Sequence, residues 1–450
     1  MWGSKHRVPS VGLLGCRESL GPLLIMISCP IITLLLVSVL NGLLEDLPGK
    51  TILRGIRCCS LLKTTKFGFF KMIISLCSFM SLNILCLKFL PPVKLIFGPI
   101  TPGGLYPEYV DNGIQSLMLN LLSFVLFSNL GYLHLYDIDI LVRHLPELLV
   151  LTNAFSFAFC VWLYRHNQAN KTLDHSTSGK VITDFYVGNE LHPNFLSGID
   201  VKQFTNCRFG MMLWPLMVVS AAGCELGRHG SISYASGVAY FLQMAYLVKF
   251  FLWEKGYFFT LDMMHDRAGF YLCWGCINWV PSVYALVSIF HGVVRHESDM
   301  SQMTMVSLIS VGLLFLFLNY HADLQRKQFR EAGKGKFFIL GNIASYIIAK
   351  YRTEDGKDRS SRLLTSGYWG TSRHFNYFSE LVFSYVIGAT TAFVGLGPYG
   401  LIFGMFYPVF LTILLVDRCY RDEAKCLSKY GASWKRYCKK VPYRLIPGIY

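Results

Sequence analysis

The string YGLIFGMFYPVFLTILLV (residues 399–416) runs without a break into DRCYRDEAKCLSKYGASWKRYCKKVPYRLIPGIY (residues 417–450). The first string carries no charge, and about 20 mostly apolar residues suffice for a helix to cross a bilayer. The junction at Asp417 therefore reads as a membrane span passing into a polar tail. That tail holds nine Lys or Arg against three acids, interleaved with Tyr420, Tyr430, Trp434 and Tyr437. Arg and Lys supply forked or point-charge donors for phosphate, and the aromatics supply flat faces for a ring. Anionic lipid headgroups would attract the same cations to a membrane surface. Tyr, Trp, Pro and Gly at set places, with acids among the bases, favour a folded site for an anionic ligand.

The rest of the chain extends the membrane reading. Hydrophobic residues fill 53% of 450 positions and charged residues only 15%, which excludes an ordinary soluble enzyme. Apolar windows recur at 22–42, 69–90, 114–134, 147–164, 209–226, 232–252, 269–291, 303–320, 378–395 and 399–416. The expected fold is an all-α polytopic membrane protein of about ten transmembrane helices with a cytosolic C-terminal cofactor-binding tail. We divide it into a cytosolic N-terminal segment (1–20), N-terminal membrane helices (21–200) and a C-terminal membrane core with its loop and tail (201–450). The segment 324–377 and the tail together supply +13 of the net charge of +15. The positive-inside rule places both in the cytosol, and an even span count places the N-terminus there too. The basic loop 43–67 falls on the opposite side and disagrees.

Several motifs read as structure rather than chemistry. Gly395-Leu396-Gly397-Pro398-Tyr399-Gly400 matches GxGxxG but joins two apolar windows, so it is expected to be a turn and not a dinucleotide fingerprint. Cys273-Trp274-Gly275-Cys276 lies inside an apolar window without a second ligand pair, so packing is expected and no metal site. Other segments resist the plain explanation. Arg326 and Arg330 share a helical face where a span ends, which suits a phosphate pair, although basic residues snorkel at such ends as well. Residues 363–377 place a Gly turn, Tyr368, Trp369, Arg373, His374, Asn376 and Tyr377 at the opening of a span. An interfacial aromatic belt explains the rings but not the packed polar set. Asp184, Glu190, Asp262, His265 and Asp266 flank apolar windows, where ionisable groups are costly and mark candidate sites.

These segments together resemble the sterol reductase family, which covers delta-14 and delta-7 sterol reductases and the lamin B receptor. The resemblance runs from about Gly98 to the C-terminus. It includes Gly98-Pro99-Ile100-Thr101-Pro102, the Gly188/Glu190/Pro193 stretch, Thr205 to Gly210, His265 to Gly275, the block through Asn376-Tyr377 and the whole tail. Phe375 within Arg373–Tyr377, and the Thr205–Met212 and His265–Tyr284 stretches, look like the delta-7 branch and its plant members. The sequence departs from the family at Asn194, after Pro193, where Arg is frequent. It departs again at Glu331, where a second Arg often follows Arg330; that change removes a cation near the expected phosphate region.

The resemblance implies a ten-span protein of the endoplasmic reticulum membrane that saturates the 7,8 double bond of 5,7-diene sterols with NADPH. The sterol is expected from the bilayer, no nucleic acid is expected as partner, and association with other sterol-biosynthesis enzymes is left open. The family's cofactor positions correspond to Arg326, Arg330, Leu364, Trp369, Asn376, Tyr377, Asp422, Cys426, Lys429, Tyr430 and Tyr437. A conjugated diene without a carbonyl needs a proton as well as a hydride, so an acid with a raised pKa is expected. Asp262 and Glu190 are the catalytic candidates, with Tyr284 and Tyr437 behind them. The alternatives are a delta-14 reductase, a membrane methyltransferase of the isoprenylcysteine type, and a non-enzymatic sterol-binding scaffold.

Overall fold

The computed structural model describes residues 19–44, 64–129, 131, 135–196, 198–294, 296, 298–333, 335–352 and 358–450. The N-terminal segment and most of the basic loop 43–67 lie outside the described residues. Two compact units emerge, one of Arg17–Ser301 with Thr390–Gly404, the other of Gln302–Ala389 with Met405–Tyr450.

In the first unit, α1 (Leu20–Leu44), α2 (Lys66–Phe89) and α3 (Gly113–Leu126) come first, with a small hairpin of β1 (Lys94–Phe97) and β2 (Glu108–Asp111) between α2 and α3. Thr65 starts α2 by accepting a hydrogen bond from the Gly68 N–H at 2.9 Å, which satisfies one otherwise orphaned donor. Helix α3 stops short of the window at 114–134. Ser128 N–H and Ser128 Oγ both bond the Val125 carbonyl, at 3.2 and 2.8 Å, and turn the chain there. The unit continues with α4 (Leu145–Ala169), α5 (Met211–His229), α6 (Tyr234–Leu252) and α7 (Leu286–Val293).

Two stretches of wide-turned π-helix precede α5 and α7, at Gln203–Gly210 and Gly275–Tyr284. They press against each other at Gly210, where an added Cβ would sit 2.2 Å from the Cys276 carbonyl. Pro281 lies within the second and lacks the N–H that a regular helical ladder needs. Such wide turns are uncommon and favour functional regions. A second close approach joins two segments singled out in the sequence. Gly188 has φ +95° and lies 2.6 Å (as a built Cβ) from the Ala268 backbone, while Gly269 would meet the Gly188 nitrogen at 2.2 Å. Only glycine lets these two backbones touch.

The second unit is built from α8 (Gln302–Glu331), a hairpin of β3 (Tyr346–Arg352) and β4 (Asp358–Leu364), α9 (Phe375–Ala389), α10 (Pro398–Tyr430, whose first turns to Gly404 cluster with the first unit) and α11 (Ala432–Lys440). Strands β3 and β4 pair antiparallel over seven positions, from Tyr346 opposite Leu364 to Arg352 opposite Asp358. Side chains alternate across a strand, so the hairpin presents two apolar faces. Tyr346 and Leu364 join Phe329 and Trp369, whereas Ile347 and Leu363 pack on Trp434, Tyr437 and Val441.

Each of the ten apolar windows contains helix. Seven described helices are long and apolar enough to cross a membrane, or eight when Phe270–Tyr284 and Leu286–Val293, bent by 43°, count as one. Helices α3 and α9 are shorter. The all-α expectation omitted the hairpins, of which β3–β4 matters most. The GxGxxG segment is indeed a turn before α10, and Cys273 and Cys276 are buried free thiols.

Candidate functional site

The polar cluster of the second unit grows from the last turns of α8. Asp323 and Arg326, three residues apart, share one helical face and pair at 3.0 Å. The Arg326 guanidinium also lies 4.0 Å over the Trp369 ring, a cation–π contact. Trp369 is nearly buried because its indole N–H bonds the Ala322 carbonyl at 2.8 Å, which ties the 366–371 turn to α8. Asn376, in the first turn of α9, donates to the Asp323 carboxylate at 3.2 Å. Its side-chain Oδ1 is buried and has no partner among the described residues. Asp323 thus aligns both Arg326 and Asn376.

The tail closes this cluster from the other side. Tyr437 donates its hydroxyl hydrogen to the Trp369 carbonyl at 3.3 Å and stacks on Trp434 at 4.9 Å. Burial raises the Tyr437 phenol above its ordinary value, so it stays protonated at neutral pH. Cys426 and Tyr430 from α10 pack into the same core as Trp434 and Tyr437, and Leu364 packs on Trp369. Lys429 holds its ammonium 4.4 Å over Tyr351 and 5.3 Å over Tyr430. Arg330 is exposed and close enough to Arg326, Tyr430, Asp422 and Cys426 to feel each electrostatically. Tyr377 stacks on His374 at 5.3 Å and lies in the field of Asp422 and Arg326. All eleven expected cofactor positions therefore fall in one unit and in one connected neighbourhood.

Arg373 and Glu423 serve the frame. Arg373 binds Glu423 at 2.8 Å and the carbonyls of Val441 and Pro442 at 2.7 and 2.8 Å, while Arg444 binds the other Glu423 oxygen at 2.9 Å. Backbone bonds from Arg373 and His374 to the Tyr443 and Arg444 carbonyls (2.9 and 3.0 Å) draw the tail back to the start of α9. His374 is almost fully buried, and burial pushes its imidazole down to about 4, with Glu423 opposing and Arg326, Arg373 and Arg444 reinforcing the shift. Its ring is neutral at pH 7.

The two catalytic candidates belong to the first unit. Glu190, 2% exposed, accepts from the Thr172 N–H (3.0 Å), the Thr172 hydroxyl (2.6 Å) and His175 Nδ1 (2.9 Å). Those bonds anchor the 172–175 loop and occupy both carboxylate oxygens. Asp262, 8% exposed, lies in a single helical turn at Leu261–Met264 near the half-buried Tyr257. Tyr284 meets the edge of Trp214 at 5.4 Å. Beneath Asp262 lies Lys202, fully buried, whose three donors reach the carbonyls of Asp262 (3.1 Å), Met263 (2.6 Å) and Asp266 (3.0 Å). Burial pushes its amine down to about 8, so it remains cationic at pH 7. Asp184, also singled out, accepts from the Thr177 hydroxyl and the Ser178 N–H.

Sequence reading missed Asp323, Lys202 and Tyr351. Asp323 stood three residues before Arg326 on a recognised helix. Tyr351 stood in a run rich in β-branched and aromatic residues, 346–351, followed by Asp355-Gly356, which is a hairpin signal. The charge of that segment drew the reading instead.

The chemistry of the eleven-residue neighbourhood fits a phosphorylated dinucleotide: exposed cations, apolar ring faces and an unpartnered amide oxygen. The family profile described as "Ergosterol biosynthesis ERG4/ERG24 family" matches residues 56–450. A 7-dehydrocholesterol reductase of Arabidopsis thaliana is 40% identical over 365 residues, covering 81% of this chain and 82% of that protein. A Delta(14)-sterol reductase of Methylotuvimicrobium alcaliphilum is 33% identical, covering 80% and 79%. A 7-dehydrocholesterol reductase of Xenopus laevis is 33% identical, covering 78% and 73%.

Proposed function

This chain belongs to the ergosterol biosynthesis ERG4/ERG24 family, and on that premise we propose that it is a sterol reductase that saturates the 7,8 double bond of 5,7-diene sterols with NADPH. The observation that carries the delta-7 reading is the 40% identity to the plant 7-dehydrocholesterol reductase across four-fifths of the chain. The family match over 56–450 sets aside the methyltransferase alternative.

NADPH, when bound, supplies the hydride. Arg326 and Arg330 would hold its phosphates, with Lys429 as a further point charge. Trp369, Leu364, Tyr430 and Tyr437 offer apolar faces for its rings, and the free Oδ1 of Asn376 accepts from an amide or hydroxyl. Asp422 suits ribose hydroxyls, and Cys426 and Tyr377 pack beside it. The proton comes from the chain. A 5,7-diene has no carbonyl to draw a hydride, so an acid must protonate the substrate. Asp262 is our first choice and Glu190 the second, because the Glu190 oxygens already accept three hydrogen bonds. Asp262 is held by a cation on its own backbone carbonyl, so the acid sits on a rigid turn.

The protein is a multi-pass membrane protein. We place it in the endoplasmic reticulum with ten membrane segments, counting α3, the bent Phe270–Val293 pair and α9, and with α11 on the cytosolic face. The sterol, being apolar, enters from the bilayer.

Expression in yeast that accumulates 5,7-diene sterols tests the reading by gas chromatography. Loss of the 5,7-diene with a 5-ene sterol appearing is the expected result. An unchanged profile from a folded, NADPH-binding protein, together with rescue of a strain lacking delta-14 reduction, would move the assignment to that bond.

A further inference from the structure

The eleven cofactor positions leave one ring and one strand unexplained. Tyr351, near the end of β3, stands perpendicular to Tyr430 (88°) with ring centroids 5.5 Å apart. Lys429 lies over the Tyr351 face at 4.4 Å, and Arg330 lies near Tyr430. Two aromatic walls at a right angle, closed by an exposed Lys and flanked by an exposed Arg, form a corner for a flat heterocycle that carries a phosphate. The hairpin is firmly seated there. Ile347 and Leu363 pack on Trp434, Tyr437 and Val441, so the Tyr351 position is set by the same core as Cys426 and Tyr430.

The direction of the site follows from the helices. Both α8 and α10 are apolar over their earlier turns and polar towards their C-terminal ends. Asp323, Arg326, Trp369 and Asn376 lie nearer the apolar part. Arg330 follows Arg326 by about 6 Å of helix, and Tyr430 follows Asp422 by about 12 Å, at 1.5 Å per residue. A sterol double bond resides in lipid, so the hydride-donating ring belongs at the apolar side and the other end of the dinucleotide at the Tyr351 corner. Glu331, the residue that removed an expected cation, turns to Lys327 at 3.7 Å. The hairpin returns a cation to this end of α8: Arg362 bonds the Phe329 carbonyl at 2.6 Å and lies 4.4 Å over its ring.

We infer that the β3–β4 hairpin completes the cofactor site, with Tyr351 and Lys429 forming a subsite for an adenosine 2′-phosphate. This rests on the NADPH reading above. Stacking of a base on an aromatic side chain changes affinity by roughly five- to hundredfold.

The test uses the full chain in nanodiscs, with NADPH and adenosine 2′,5′-bisphosphate as probes and dissociation constants from calorimetry. Wild type binds both. Tyr351→Ala and Tyr351→Leu weaken both on the order of tenfold or more, Tyr351→Phe stays close to wild type, and reduced nicotinamide mononucleotide binding does not change. Tyr351→Leu keeps the apolar bulk on the hairpin, so its loss reports the aromatic face and not misfolding. Unchanged affinity for the bisphosphate in both variants, with wild type binding it, overturns the hairpin subsite and leaves the NADPH reading standing. Wild type that binds neither probe overturns both.

Discussion

His374 and Arg208 show how single residues hold this molecule. His374 has a folded pKa of about 4 against an ordinary 6.5. The unfolded chain binds the proton first, so the stability from the neutral buried ring is complete above pH 6.5. It falls as the pH drops from 6.5 towards 4, by about 3 kcal/mol in all. The melting temperature of the solubilised protein should fall between pH 7.5 and 5, and His374→Gln should flatten that dependence. Arg208 is fully buried and binds both oxygens of Glu254, also fully buried, with Asn112 at 2.7 Å as a further acceptor. Removing one partner leaves a bare buried charge, so Arg208→Ala should cost about 3–5 kcal/mol, read as a loss of folded protein in detergent. Function divides the same way. Arg326→Ala should raise the NADPH dissociation constant roughly tenfold, the worth of a charge-assisted contact. Asp262→Asn should abolish turnover with NADPH affinity intact; full activity in that variant would remove Asp262 from the mechanism.

Among the elements, the Leu261–Met264 turn is the most exacting. A four-residue helix has no stability of its own, and Lys202 holds two of its carbonyls, those of Asp262 and Met263, together with that of Asp266 just beyond it. Lys202→Met keeps the length of the side chain but leaves three carbonyls without their partner. We expect loss of about 3 kcal/mol or more and a drop in kcat through displacement of Asp262, while the NADPH dissociation constant stays unchanged. A fall in cofactor affinity instead would show that the turn matters beyond the acid. The Gly188–Gly269 contact belongs to the same scale: it fixes where the Glu190 and His265–Gly275 segments meet, since Ala268 N–H bonds the Glu190 carbonyl at 3.2 Å.

At the scale of the whole molecule, the division into two units separates the roles. The proposed cofactor positions lie in the unit of Gln302–Ala389 and Met405–Tyr450, and both acid candidates in the unit built mainly from Arg17–Ser301. The proposed orientation puts α11 and the hairpin in the cytosol. In sealed microsomes a tag after Tyr450 should be cut by added protease without detergent, and protection of that tag would reverse the orientation.

Apolar length determined, from the sequence alone, that this chain is a multi-pass membrane protein and which ten windows contain helix. Both are local properties: an 18-residue run such as 399–416 states its own solvent. The eleven expected cofactor positions came from the family resemblance, and the cations and rings among them are the residue types that phosphate and ring binding would use. Other features depended on tertiary contacts. The wide turns at 203–210 and 275–284 arise where two segments approach as closely as Gly210 and Cys276 allow, and no periodicity encodes that. Arg373 stood out only as part of a packed polar set at the opening of a span and became the partner of Glu423, because the tail folds back to the start of α9. Tyr351 drew no reading from the sequence, and the fold sets it at a right angle to Tyr430. Residues distant in sequence share an environment only after packing, so only the tertiary structure decided which cations were left for a ligand and which were consumed by the frame.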